Sequence, residues 1–414
     1  MADKLQKAKV EEELKRGAEV SIISLVDSLI EHGYHSRASD IHIDPEEKRV
    51  RVRLRIDGIL NDAFILPKDI QSEVITRIKV LSGLRTDEHQ AAQDGRFRTE
   101  IEGGGPIDLR VSIAPTYYGE NAVMRLLMEK EEKFTLETLG YNERDRGIIM
   151  KAIKNPYGMI LATGPTGSGK TTTLYTILKI LNTKEVSIIT IEDPIEYSLE
   201  GIDQIQANTR TGLTFATGLR SILRQDPNII MVGEIRDEET ARIAVNAALT
   251  GHLLLSTLHT NDAPTTLPRL LDMQIEPFLI ASTVNIAIGQ RLVRKICENC
   301  KVNKAISTDE LKTLSESVST EILSKYEKIT KSKNFSKGSG CEKCNDTGYQ
   351  GRIGIYEVLE VDDDIRKAVI RKADAGEIRD IAIKNGMTTM IGDGFKKASE
   401  GITTIEEILR VIHE

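Results

Sequence analysis

Between the apolar run Met159 to Ala162 and an amphipathic stretch from Thr172 to Leu181 stands Gly164-Pro-Thr-Gly-Ser-Gly-Lys-Thr171. The spacing is G-x-x-x-x-G-K-[ST]. With a strand before it and a helix after it, this part of the chain is committed to a strand–loop–helix unit that cradles phosphate. Glycines let successive backbone N–H groups turn inward, and the helix N-terminus adds partial positive charge. The nucleotide would lie against Gly164, Pro165, Thr166, Gly167, Ser168, Gly169, Lys170, Thr171 and Thr172. Lys170 would reach the β and γ oxygens of ATP, and Thr171 would hold Mg2+.

Such a loop needs company from neighbouring strands. Val186 to Ile191, Ile229 to Val232 and Leu253 to Leu258 are short apolar runs separated by helical patterns, the alternation that builds a parallel sheet. Ligands in open parallel sheets sit at the carboxyl ends of the strands, and three of these ends carry reactive groups. Ile229-Ile-Met-Val-Gly-Glu234 ends in a carboxylate that is costly to bury without a task or a partner. Pro194 stops the strand in Ile188-Ile-Thr-Ile-Glu-Asp-Pro-Ile-Glu196 and turns its acidic residues outward. The last strand brings His259 to the rim, with His252 at its other end.

Ahead of this region, residues 1–36 read as a charged lead and an apolar-periodic helix, with Ile22, Ile23, Val26, Leu29 and Ile30 on one face. In Arg49 to Ile56 the period becomes two, with Val50, Val52, Leu54 and Ile56 alternating with four arginines, and Asp57-Gly58 supplies a turn. The arginine face is expected to be solvated or to meet another domain. Residues 37–128 then form a small mixed α/β domain, and the charged stretch 129–137 reads as a linker. The chain turns helical after Asp362, its last helix opening on a capping box, Thr404-x-x-Glu407.

All four cysteines fall in two Cys-x-x-Cys pairs, Cys297/Cys300 and Cys341/Cys344. They are too few for a disulfide framework and suit a closed tetrahedral S4 zinc site, with the polar segment 301–340 as a loop or helical insertion. The net charge of −7, the absence of Trp and the lack of a concentrated basic run argue against nucleic acid as a partner. No apolar run spans a bilayer and no signal peptide opens the chain, so a cytoplasmic location is expected.

These motifs together resemble the hexameric ATPases of type II secretion and type IV pilus assembly, over nearly the whole chain from about Leu25. The likeness includes Ala38-Ser-Asp-Ile-His-Ile43, Gln93-Asp-Gly-Arg96, Gly212-Leu-Thr-Phe-Ala216, Leu219-Arg-Ser-Ile-Leu-Arg-Gln-Asp-Pro227, Gln290-Arg-Leu-Val-Arg294 and Gly351-Arg-Ile-Gly-Ile-Tyr-Glu357. It implies an α/β fold: a PAS-like domain over 37–128, a RecA-like P-loop domain over 138–294, a tetracysteine element over 295–356 and a helical tail over 357–414. By the same resemblance Glu234 organises Mg2+ and its water, Glu196 polarises the attacking water, and His252 and His259 sense the γ-phosphate. Arg110 and Arg125 are implied to be arginine fingers. Arg220 and Arg224, four apart on one helix face, match arginines near the subunit boundary.

The implied partners are five further copies in a homohexamer and an inner-membrane platform protein, with the enzyme peripheral to that membrane. The tetracysteine element favours assembly over retraction ATPases, which typically lack it. Retraction or competence, and more distantly DNA translocation, are the alternative uses of such a motor. A non-catalytic regulator would not need Glu196, Glu234 and the histidines on one rim. Family members of this kind usually carry a further N-terminal docking domain, and only residues 1–36 precede the small domain here.

Overall fold

The computed structural model describes residues 2–127, 134–304 and 335–413. The chain divides into two compact units, Met1–Glu132 and Lys133–Glu414. In the first, helices α1 (Ala2–Lys15) and α2 (Ile22–His35) precede strands β1 (Ala38–Pro45), β2 (Arg49–Ile56) and β3 (Ile59–Pro67). Helix α3 (Gln71–Leu81) and strands β4 (Gln93–Ile101), β5 (Gly105–Thr116) and β6 (Gly119–Leu127) complete it. The six strands form one antiparallel sheet in the order β3-β2-β1-β6-β5-β4.

The period-two pattern sets its faces. Val50, Val52 and Leu54 are buried in the unit's core with Ile41, Ile43, Leu109, Val111 and Met124. The intervening arginines are ion-paired: Arg49 and Arg51 with Glu46 at 2.6 and 3.0 Å, Arg53 with Asp44 at 2.7 Å and Arg55 with Asp40 at 3.6 Å. In α2 the buried face is Leu25, Val26, Leu29 and Ile30, whereas Ile23, expected on it, is exposed. Ser21 caps this helix by accepting the Ser24 N–H, which sets the helix start and so its rotation.

The second unit begins with a short helix α4 (Leu136–Leu139) and α5 (Glu143–Ala152). Of the expected linker 129–137, residues 129–133 lie outside the described residues. In the remainder, Thr135 and Thr138 cap each other reciprocally and Leu136 is buried at the start of α4. There follow β7 (Gly158–Thr163), α6 (Lys170–Leu181), β8 (Ile188–Glu192), β9 (Asp203–Gln206), α7 (Phe215–Ile222), β10 (Ile229–Val232), α8 (Glu238–Leu249) and β11 (Leu253–Leu258). Then come α9 (Thr266–Asp272), α10 (Pro277–Thr283) and β12 (Val284–Ile296), and the pair β13 (Lys301–Lys304) and β14 (Phe335–Gly338). The chain continues through β15 (Tyr349–Glu360), α11 (Asp363–Ile370), α12 (Ala375–Lys384), α13 (Met390–Ser399) and α14 (Ile405–His413).

Seven strands form a sheet in the order β15-β12-β7-β11-β10-β8-β9, parallel except for β15 against β12. β7, β8, β10 and β11 are buried throughout, because helices cover both faces. β15 runs through the boundary expected at 356, and the cysteines lie between the end of β12 and the start of β15. Of the polar insertion, residues 305–334 lie outside the described residues, and its described ends pair as β13 and β14 instead of forming helix.

Candidate functional site

The four parallel strands β7, β11, β10 and β8 end on one rim. Thr163 closes β7, and its hydroxyl bonds the Leu258 and Thr260 carbonyls at 3.1 and 2.8 Å, tying the base of the phosphate loop to the end of β11. Gly164, Gly167 and Gly169 have φ of 143°, 78° and 90°, which a side chain would strain. A Cβ at Gly164 would come within 2.4 Å of the Gln290 carbonyl, whereas at Gly167 it would meet open space. The loop is therefore fixed at its base and open at its crest.

Lys170 is buried at the start of α6, and its ammonium donates to the Gly164 and Pro165 carbonyls at 2.8 and 3.0 Å. Burial pulls its pKa down to about 8; the negative charge of Glu234 partly offsets this, and Arg291 adds to it. Ser168 Oγ is buried with no hydrogen-bond partner among the described residues. An inward-facing ammonium, an unsatisfied buried hydroxyl and a glycine crest with room before it suit a bound triphosphate. Thr171 is half-buried in the first turn of α6.

Glu234 stands two residues past β10. The turn before it is clamped: the Gly233 N–H donates to the Ile191 carbonyl at 2.7 Å, and Thr257 Oγ1 donates to the Gly233 carbonyl at 2.8 Å. The Glu234 side chain, only 8% exposed as a residue, is held on both oxygens, by Arg236 at 2.6 Å and by His259 Nε2 at 3.0 Å. The carboxylate expected to organise the metal and the histidine expected beside it thus meet directly.

His252 does not join them. It precedes Leu253, which pairs with Gly158 at the amino end of the parallel strands, and its Nδ1 lies 3.0 Å from the Ala247 carbonyl. Six strand residues at roughly 3.3 Å each separate that end from the rim, about 20 Å. His252 thus stands at the other end of β11, where the sequence put it, and within a single chain it does not share the rim that the resemblance implied for both histidines, because a parallel strand carries only one of its ends to the ligand side.

Glu196 lies half-buried in the loop after Pro194, with its backbone beside the Tyr175 hydroxyl. Glu192, at the very end of β8, is the more buried carboxylate. It accepts hydrogen bonds from Tyr175 Oη, Thr190 Oγ1 at 2.6 Å and Gln204 Nε2 at 3.2 Å. Arg220 pairs with Glu239 at 2.6 Å on the surface of α7. Arg224 falls in the turn after α7 and donates to the Arg220 carbonyl at 2.9 Å, so the two do not share a helix face. Asp226, with φ of 51°, and Pro227 prevent the helix from continuing.

Arg110 and Arg125 belong to the first unit, on neighbouring strands at paired positions. Arg125 bonds the buried Asp40 at 2.9 Å, and cross-strand pairing continues the row to Arg55 on one side and Arg96 on the other. This row of arginines around one buried aspartate was visible in the sequence only as separate arginine-bearing strands.

The four cysteine sulfurs lie within 4.8 Å of one another, with Cys297–Cys341, Cys300–Cys344 and Cys341–Cys344 at 3.9, 3.8 and 3.6 Å. A tetrahedron with Zn–S bonds of about 2.3 Å has edges of about 3.8 Å, so the sulfurs fit zinc, and they are too far apart for disulfides. The backbone N–H groups of Cys341 and Gly348 point at Cys344 Sγ from 3.2 and 3.3 Å, and Asn299 Nδ2 points at Cys341 Sγ from 3.3 Å, donors suited to thiolates.

Comparison with known proteins agrees with this fold. The family model described as type II/IV secretion system protein matches residues 15–410. The chain is 44% identical to the type IV pilus assembly ATPase PilB of Myxococcus xanthus, over 97% of this chain and 69% of that protein. It is 48% identical to the type II secretion system protein E of Xanthomonas campestris pv. campestris, over 96% of this chain and 68% of the relative. Among solved structures, the pilus retraction motor PilT with bound ADP matches with a TM-score of 0.61 and 26% identity, over 93% of this chain and 96% of that one. The ATPase DotB of Legionella pneumophila, at 22% identity and TM-score 0.66 over 94% and 95% of the two chains, shares the fold.

Proposed function

The chain belongs to the type II/IV secretion system protein family, and we propose that it is the motor that drives pilus or pseudopilus assembly by hydrolysing ATP. It is an ATPase of the secretion superfamily. The observation that carries the site assignment is Glu234, buried at the rim and held on both oxygens by Arg236 and His259 beside the phosphate loop. Mg2+, held by Thr171 and the carboxylate of Glu234, would neutralise charge on the β and γ oxygens. Lys170 supplies the positive charge inside the loop. Glu234 keeps a fixed position because both its oxygens are engaged, and His259 lies where it registers whatever changes at that carboxylate. Glu196 is assigned the attacking water, while Arg110 and Arg125 are assigned charge stabilisation during transfer, which guanidinium groups suit.

The tetracysteine cluster supports assembly over retraction, and zinc is the metal that its sulfur spacing suits. We further infer a homohexamer acting through an inner-membrane platform protein; no helix among the described residues is long and apolar enough to cross a membrane itself. Purified protein should release phosphate from ATP only with Mg2+, at a rate that added DNA leaves unchanged. Deletion of the gene should abolish surface filaments or the export of secreted enzymes. DNA-stimulated turnover with tight, salt-dependent DNA binding would replace this reading with that of a nucleic-acid motor.

A further inference from the structure

Gln290 follows Gly289, which pairs with Thr163 at the end of β7, so its side chain comes level with the phosphate loop. It is 1% exposed. Its Nε2 donates to the Ser168 carbonyl at 2.8 Å, and its Oε1 accepts from Thr173 Oγ1 at 2.9 Å. A carbonyl only accepts, so the orientation of the amide is fixed by its partners. With the Thr173 proton committed, Tyr141 Oη donates to Thr173 Oγ1 at 3.1 Å. Tyr141 in turn stacks on Tyr356, ring centroids 3.6 Å apart and planes at 19°. The amide is thus anchored at the end of a buried, ordered chain of groups.

The consequence lies in the Ser168–Gly169 peptide. In a planar trans peptide the C=O and the following N–H point in opposite directions. Gln290 draws the Ser168 carbonyl toward β12, and this turns the Gly169 N–H away from β12, toward the concavity of the loop. Gly169, at φ 90°, is the residue that tolerates this turn. A Cβ there would come 3.2 Å from Gln290 Nε2, so the amide and the glycine are packed against each other.

We propose that Gln290 is a positioning residue for phosphate binding, its side-chain amide setting the Ser168–Gly169 peptide so that the Gly169 N–H faces the nucleotide. This rests on the assignment of the loop as the ATP site. Gln290→Leu removes the donor. Gln290→Glu keeps the shape but sets a carboxylate against the Ser168 carbonyl, and regains a donor only when protonated. Binding of ADP and ATP, together with steady-state hydrolysis, is measured from pH 6 to 8.5 for wild type, both variants and Lys170→Ala.

The expected result for Gln290→Leu is a nucleotide Kd and KM raised about tenfold or more, with kcat at saturating ATP changed much less, as for a contact made equally to substrate and transition state. Gln290→Glu is expected to bind poorly at pH 7.5 and to regain affinity toward pH 6, a range over which wild-type affinity stays nearly flat because Lys170 remains charged. Wild-type affinity in Gln290→Leu, or a Gln290→Glu profile parallel to wild type, overturns the role. Should Gln290→Leu fail to fold, the near-isosteric Gln290→Glu profile decides alone. If Lys170→Ala binds nucleotide as wild type does, the loop assignment itself fails, a result distinct from failure of Gln290 alone.

Discussion

Glu234 and Lys170 show what burial does to single residues at this rim. The ammonium of Lys170 is held in a site that lowers its pKa to about 8, so it sheds its proton within a range open to experiment. A bound phosphate favours the charged form, so nucleotide affinity should be full below about pH 8 and fall as pH rises through that value, approaching tenfold per unit. Titrating ADP affinity between pH 7 and 9.5 tests this, and Lys170→Ala, weak throughout, should lack the slope. At the residue scale the sequence exposed Lys170, Thr171, Glu234 and His259 because each sits at a fixed offset from a strand end. Gln290, Glu192 and Tyr141 were not legible as site residues. Gln290 meets Ser168 across 122 positions of chain, and nothing local distinguishes a buried amide that braces a loop from one exposed to solvent.

Among the elements, β15 and the helices after it tie the rim to the end of the chain. Glu357 on β15 is buried and accepts from the Ala263 N–H at 2.7 Å, beyond His259, and from the Met390 N–H at 3.2 Å at the start of α13. Burial raises its pKa to about 7 from a usual 4.5. Between those values the folded protein holds a proton that the unfolded chain has released. Stability from this group is therefore greatest below about pH 4.5 and is lost as pH rises through about 7. Glu357→Gln, which cannot ionise, should flatten that part of the Tm-versus-pH slope, whatever its effect on Tm at any one pH.

The tetracysteine cluster joins the same assembly. Ile296 donates to the Ile402 carbonyl at 2.8 Å, Arg294 pairs with Glu407 at 2.8 Å, and Tyr349 Oη bonds Thr404 Oγ1 at 2.8 Å. Half of the expected capping box is present: Thr404 Oγ1 accepts the Glu407 N–H, while the Glu407 carboxylate holds Arg294 and Arg410. Metal analysis should find one zinc per chain. Chelation should lower the Tm of the second unit by on the order of 5–10 °C and speed hydrogen exchange in α14. Well under one zinc in folded, unchelated protein would remove the metal from the account. β12 and β15 escaped the sequence reading as strands because β12 carries a glycine and charged residues along its length, and β15 pairs antiparallel across the tetracysteine element. Their identity depends on a partner 53 or more positions away.

For the molecule as a whole, the alternation of strands and helices announced the parallel sheet, and the period-two arginines announced the first unit's sheet. The order of strands, which decides which ends share a rim, was not readable from either pattern. His252 and His259, seven positions apart in the chain, stand at opposite ends of one strand, so only His259 reaches the rim. Glu234 offers a test in one step, because the part proposed for it weighs more in hydrolysis than in holding nucleotide. The decisive measurement is steady-state phosphate release by Glu234→Gln beside its affinity for ATP. The account predicts a fall in kcat of on the order of a hundredfold or more, with ATP affinity kept within about threefold. Hydrolysis at the wild-type rate in a variant that still binds ATP would contradict it.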